Sequence, residues 1–225
     1  MEKRQETLLK LAIESYIETA EPVGSRFLLS ESGLDCGEAT VRNELRALEE
    51  DGYLTHPHTS AGRIPTEKGY QYYLSQVNWD KVNIAKKDLD LLQKFIDGLT
   101  GEERVKNVAK SLAELANAAV LVAFDLDRVY YTGLSNLFNQ PEFKELDLVV
   151  NVSSVFDRCE ECLEDFSDQV DDEVHFYLGD SHPFGNFLSV AACRLGKNSF
   201  LALLGPVRMD YKRNFALMNK IKELI

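Results

Sequence analysis

Basic residues are the scarce charge in this 225-residue chain: 25 Lys and Arg stand against 37 Asp and Glu, for a formal net charge of −12. That balance excludes a molecule-wide cationic footprint for nucleic acid and a polybasic membrane anchor, so any anion binding must be local. Cysteine is scarce too. Cys36, Cys159, Cys162 and Cys193 show no framework spacing, which excludes a disulfide scaffold and points to a reducing compartment. Long apolar runs are missing. The longest, Ala118 to Phe124, falls far short of the roughly 20 residues a bilayer-spanning helix needs, and the N-terminal segment has no signal-peptide core. The expected location is therefore the cytoplasm. With 13 Gly and 6 Pro in a chain that is 44% hydrophobic, the composition is that of a folded protein of one or two domains.

What is present is strongly ordered along the chain. Leu9, Ala12, Ile13, Tyr16 and Ile17 form the apolar stripe of a first amphipathic helix over 2–19, stopped by Pro22 and Gly24. Ser25 is placed to cap a short second helix that ends at Gly33. A third helix, 38–51, turns Val41, Leu45 and Leu48 to one side. Two short extended segments, 53–56 and 63–65, flank the small turn-forming residues 58–62, and Thr66 is placed to cap a further helix over 67–77. Three helices, a hairpin and a helix are the order of a winged helix-turn-helix, whose third helix enters the major groove.

Residues 78–117 read as helical, with Ala85, Leu89, Leu92, Ile96 and Leu99 spaced 4, 3, 4, 3, and Thr100 to Glu103 as a capping box. A seam of about two heptads suits either a partner helix or the chain's own core. Beyond it, 119–124 and 128–133 read as paired strands, 142–165 as helix, 174–178, 187–195 and 199–204 as three more strands, and 210–224 as a terminal helix. The expected organisation is a winged helix-turn-helix over 1–77, a helical linker with a dimerisation role over 78–118, and an α+β domain with a mostly antiparallel sheet over 119–225.

On a helical wheel Ala39, Arg42, Asn43 and Arg46 fall opposite Val41, Leu45 and Leu48. Arg pairs bidentately with guanine, Asn with adenine, and a small Ala admits a thymine methyl, so this face holds what a base reader needs. The wing adds context. Acidic residues average about one in six in the chain, yet none occurs from Gly52 to Thr66, where His56, His58, Thr59, Ser60 and Arg63 offer donors. In this reading Arg42, Asn43 and Arg46 read bases while Ser60 and Arg63 hold the wing to the DNA backbone. Loss of Arg63 then weakens all sequences alike and flattens the salt dependence.

Glu21 to Ser25, Ala39 to Leu45, Gly52 to Leu54, Pro57 to Thr66 and Lys68 to Tyr70 closely resemble the HrcA family of heat-inducible transcription repressors. Gly133 to Asn136, Gln140 to Phe143, the turn from Gly179 to Phe184, and Leu204 to Tyr211 resemble that family's C-terminal motifs. The resemblance implies a GAF-like C-terminal domain. It implies a homodimer bound to an inverted-repeat operator in double-stranded DNA near chaperone genes, kept active by the chaperonin, with no cofactor, metal or membrane. The implied DNA contacts are Ser25, Ala39, Thr40, Arg42, Asn43, Arg46, His58, Thr59, Ser60, Arg63 and Lys68. Three departures stand out. A single hairpin joins Ala118 to Gly133 where the family carries a long middle portion with its dimerisation domain, so the GAF-like domain is a reduced one and the 78–117 helices become the candidate interface. Gly37-Glu38 replaces a usual serine and sets a carboxylate toward incoming phosphate. Ser181-His182 stands where Glu-Asn is common.

A second reading keeps the DNA-binding half but makes the C-terminal domain a sensor of a ligand or protein. Catalysis is not expected. Cys159 and Cys162 share one helix with no second thiol pair or histidine at zinc spacing, and Asp180-Ser181-His182 are consecutive, so their side chains diverge.

Overall fold

The computed structural model describes residues 1–57, 61–96, 99–125, 127–197 and 199–225, which fall into two compact units, Met1–Asn78 and Trp79–Ile225. In the first, helix α1 (Lys3–Thr19) buries Leu8, Leu9, Ala12 and Ile13 against α2 (Ser25–Ser32) and α3 (Glu38–Glu50). The α3 face that meets them is Val41, Leu45 and Leu48, as its periodicity requires. Strands β1 (Leu54–Thr55) and β2 (Ile64–Pro65) form the antiparallel stem of the wing, and Val23 adds an antiparallel bridge to Arg63. Helix α4 (Glu67–Gln76) returns across α1, where Tyr72 donates to Glu6 at 3.0 Å and Tyr73 to Glu14 at 3.2 Å.

The start of α4 is fixed by one hydroxyl. Thr66 Oγ1 accepts from the Gly69 amide at 3.1 Å and donates to the Gly52 carbonyl at 2.7 Å, joining α4 to the turn that follows α3. At Gly69 a Cβ would lie 2.3 Å from the Tyr53 carbonyl oxygen, so only glycine lets these segments approach. Thr66→Ala is expected to cost about 1–2 kcal/mol, read as a lower melting temperature of the first unit. The expected cap on α2 is different: Gly24 takes the N-cap position, and Ser25 becomes the first helical residue with its hydroxyl turned to α3.

The second unit is built on a five-stranded sheet, ordered β4-β3-β7-β6-β5 with every pairing antiparallel: β3 (Ala119–Asp125), β4 (Arg128–Thr132), β5 (His175–Leu178), β6 (Leu188–Arg194) and β7 (Phe200–Pro206). Strands β3, β6 and β7 are buried on both faces, which is why they read as continuous apolar runs. Ala119, Leu121, Val190, Phe200 and Ala202 face one layer of helices, α8 (Leu146–Asp157) and α9 (Cys159–Ser167), through Val152, Phe156, Leu163 and Phe166. Val120, Val122, Ala191, Leu201 and Leu203 face the other, α5 (Lys86–Ile96), α6 (Gly101–Ala116) and α10 (Tyr211–Leu224), through Leu92, Leu112, Leu217 and Ile221.

Three expectations are corrected here. The helices read as a linker lie against the sheet of the second unit, with Leu112 and, from the 4, 3 seam, Leu92 fully buried in the chain's own core. The helix expected over 142–165 is a 3₁₀ turn (Pro141–Lys144) followed by α8 and α9, interrupted where Glu145 is extended and Arg158 leaves helical geometry. Thr100 precedes α6 but makes no side-chain capping bond, and positive-φ Gly101 begins the helix.

The C-terminal motifs are joints in this unit. Gly133, at φ +82°, has no room for a Cβ beside the Ala118 carbonyl and opens a short helix α7 (Leu134–Phe138) that the sequence reading missed. From it Asn136 donates to the Ala113 carbonyl at 2.9 Å, closing the end of α6. Arg208 reaches Glu142 at 2.6 Å and Gln140 at 3.0 Å, which ties two motifs 66 and 68 residues apart.

Candidate nucleic-acid interface

The outer face of α3 carries Ala39, Arg42, Asn43 and Arg46 to solvent, opposite the buried Val41, Leu45 and Leu48, while Thr40 is half-buried. Asn43 and Arg46 make no side-chain hydrogen bond or ion pair among the described residues, so their donors are free for a ligand. Arg42 is engaged: its Nη2 lies 2.8 Å from Glu38 Oε1, one turn back. The same carboxylate accepts from Ser25 at 3.2 Å and lies 3.7 Å from Arg26 Nε.

Two expected DNA contacts are engaged within the protein. Arg63 Nη2 lies 2.7 Å from Glu49 Oε2 in the last turn of α3, and its side chain is only 23% exposed. His56 meets the other oxygen of the same carboxylate through Nδ1. Glu49 therefore clamps both stems of the wing to α3. Lys68 donates to the Asp51 carbonyl at 2.7 Å and lies over the Tyr53 ring, spending its charge at the C-terminal end of α3, where the helix dipole favours a cation. The remaining wing residues named from sequence, His58, Thr59 and Ser60, lie outside the described residues. Sequence reasoning missed Arg26 and Glu49. An arginine beside Ser25 was a local signal for the first, but Glu49 sits just outside the acid-free window and nothing local links it to Arg63.

The residues set aside from chemistry sit as structural groups. His182 is buried, donates from Nε2 to the Leu188 carbonyl at 3.1 Å and accepts the Phe184 amide on Nδ1 at 3.2 Å. Burial lowers its pKa, so the ring is neutral. Ser181 donates to the Leu178 carbonyl at 2.7 Å, leaving no nucleophile and base pair. Burial pushes the Cys159 and Cys162 thiols up, and Cys193 up to about 11, which keeps them protonated and poor nucleophiles. Among the described residues no cluster of three or more His, Cys, Asp or Glu could hold a metal, and no helix is long and apolar enough to cross a membrane.

A cavity of about 480 Å³ opens in the second unit, lined by Ile84, Asp88, Asp210, Arg213 and Ala216 among others. Asp88 and Arg213 form a two-point ion pair at its wall, at 2.9 and 3.0 Å, so its most prominent charges neutralise each other.

Comparisons with known proteins agree with this architecture. Residues 13–72 match the Ribonuclease R winged-helix domain, and residues 76–214 match the HrcA protein C terminal domain. The chain is 41% identical over 122 residues to the heat-inducible transcription repressor HrcA of Lachnoclostridium phytofermentans, covering 54% of this chain and 35% of that one. It is 34% identical over 151 residues to the protein of the same description from Chlorobium limicola, covering 67% and 41% respectively. The chain thus matches well under half the length of these relatives. A crystal structure described as a hypothetical protein superposes with a TM-score of 0.81 at 18% identity, over 100% of this chain and 98% of that one, and so shares the fold. With a family match across well over half of its length, on a winged helix and a GAF-like α+β unit, this chain belongs to the HrcA family.

Proposed function

We propose that this chain is a DNA-binding transcription repressor of heat-shock genes that docks α3 in the major groove of an inverted-repeat operator as a homodimer. The observation that carries the reading is the outer face of α3, where Asn43 and Arg46 stand exposed and uncommitted on a helix whose inner face is locked into the core. Arg42, Asn43 and Arg46 read base edges, and Ala39 permits close approach. The clamped wing lies along the backbone and supplies Ser60 and its neighbours, while Ser25, Thr40 and Lys68 flank the groove. The description shared by the relatives, heat-inducible transcription repressor, supports the stress-response role, and chaperonin control and a cytoplasmic location follow from the same reading. The sensor alternative rests on the cavity beside α10, where Asp88 and Arg213 are already paired with each other.

Selection of bound duplexes from a random pool by the full chain tests this directly. The expected result is an enriched inverted repeat with half-site centres one helical turn apart, about 34 Å, or a multiple of it. Recovery of unselected sequence would refute base reading, and a lone half-site would refute the dimer.

A further inference from the structure

Glu38 gathers three donors that a DNA-binding surface would otherwise present outward. Its Oε1 takes Arg42 at 2.8 Å and Ser25 at 3.2 Å, and its Oε2 lies 3.7 Å from Arg26. The burial of the members decides how the cluster is built. The Glu38 side chain is the sheltered member at 33% exposure, while the arginine side chains lie more open at 66% for Arg42 and 90% for Arg26. Two acceptor oxygens held by two guanidinium groups and a hydroxyl are the arrangement a phosphate diester receives from the same residue types.

We propose that Glu38 is an internal competitor of the DNA backbone: its carboxylate occupies Arg26, Arg42 and Ser25 in the free protein and must yield them to the phosphates and bases of bound DNA. This rests on the reading of α3 as the groove-entering helix, whose N-terminal residues approach the duplex most closely. Exposed ion pairs are weak, whether one helical turn apart as for Arg42 or between helices as for Arg26, so the hold on both is readily exchanged. The carboxylate itself cannot leave. It stays in the first turn of α3, repels phosphate, and lowers affinity for every sequence. Arg26 becomes a DNA contact, released only when Glu38 gives way. The consequence is selectivity: with non-specific backbone attraction held down, base contacts from Asn43 and Arg46 form a larger share of the binding that remains.

The test compares wild type, Glu38→Gln, Arg26→Ala and the double variant on short duplexes of mixed sequence across a salt series. Glu38→Gln is expected to bind about tenfold more tightly at moderate salt, with a salt dependence steeper by about one released counterion. Arg26→Ala is expected to weaken the Glu38→Gln protein several-fold more than it weakens wild type. Because Arg26 is almost wholly exposed, this comparison stands even where Glu38→Gln shifts the melting temperature. If Glu38→Gln binds no more tightly than wild type and Arg26→Ala has equal effects in both backgrounds, the competitor role is wrong while the DNA-binding reading survives. A wild-type protein that binds no duplex at any salt concentration overturns both.

Discussion

Arg46→Ala loses about 1–3 kcal/mol of binding to the selected operator, roughly 5- to 150-fold, while its affinity for unrelated duplex changes little. The expectation follows from where the side chain stands. Arg46 is exposed on the outer side of α3 and makes no hydrogen bond or ion pair among the described residues. Truncation is therefore expected to remove the proposed base contact and leave the helix intact. Arg63→Ala provides the contrast. Its guanidinium is bound to Glu49, so removing it loosens the wing and weakens all sequences alike, but the salt dependence keeps its slope because no phosphate contact is lost. A flattened slope would instead mark Arg63 as a phosphate contact. Competition binding with operator and scrambled duplex at two salt concentrations separates the two variants. Equal losses on both duplexes for Arg46→Ala would remove it from the reading face.

The second large effect is on stability. Arg213→Ala leaves the Asp88 carboxylate, almost fully buried between α5 and α10, without its two-point partner. Removing one member of such a pair costs about 3 kcal/mol, at the low end of the range because Arg213 keeps partial contact with water. For a unit of this size that is a fall of roughly 6–12 °C in melting temperature. The sign of the pH dependence follows from the same geometry. Hydrogen bonding to Arg213 holds the Asp88 carboxyl below the usual carboxylate range, against the opposing effect of burial. Its contribution is fully present above the unfolded value of about 3.9 and is lost as pH falls through the lower folded value. The gap between wild type and Arg213→Ala is therefore widest near neutrality and narrows in acid below about pH 4. A gap that stays constant from pH 7 to about pH 3 would show that the pair is not its source.

Much of the fold could be read from local pattern. The stripes of α1 and α3, the acid-free wing and the apolar runs of β3, β6 and β7 each carry a period or a composition that physics ties to one conformation. The outer face of α3 was legible for the same reason, since fixing the buried side of a helix fixes the exposed side. Local pattern failed where a role depends on a distant partner. The seam of α5 looks the same whether it meets another chain or its own sheet, and its docking depends in part on Arg213, 125 residues away. Arg63 and Lys68 read as free cations until α3 and its end supply Glu49 and the Asp51 carbonyl. Helix α7, at five residues, is too short to show a period, and it exists because Gly133 turns the chain and Asn136 closes α6.

The pairing of β3 with β7 also orders events in time. Residues 119–123 find their sheet partners only at 200–204, so the centre of the second unit cannot close until residue 204 has been made. The winged helix needs nothing beyond residue 78 for its own contacts and can form as soon as it emerges. During synthesis the winged helix is thus complete while Val120, Leu121 and Val122 remain a bare apolar strand, the kind of segment that aggregates or is held by a chaperone.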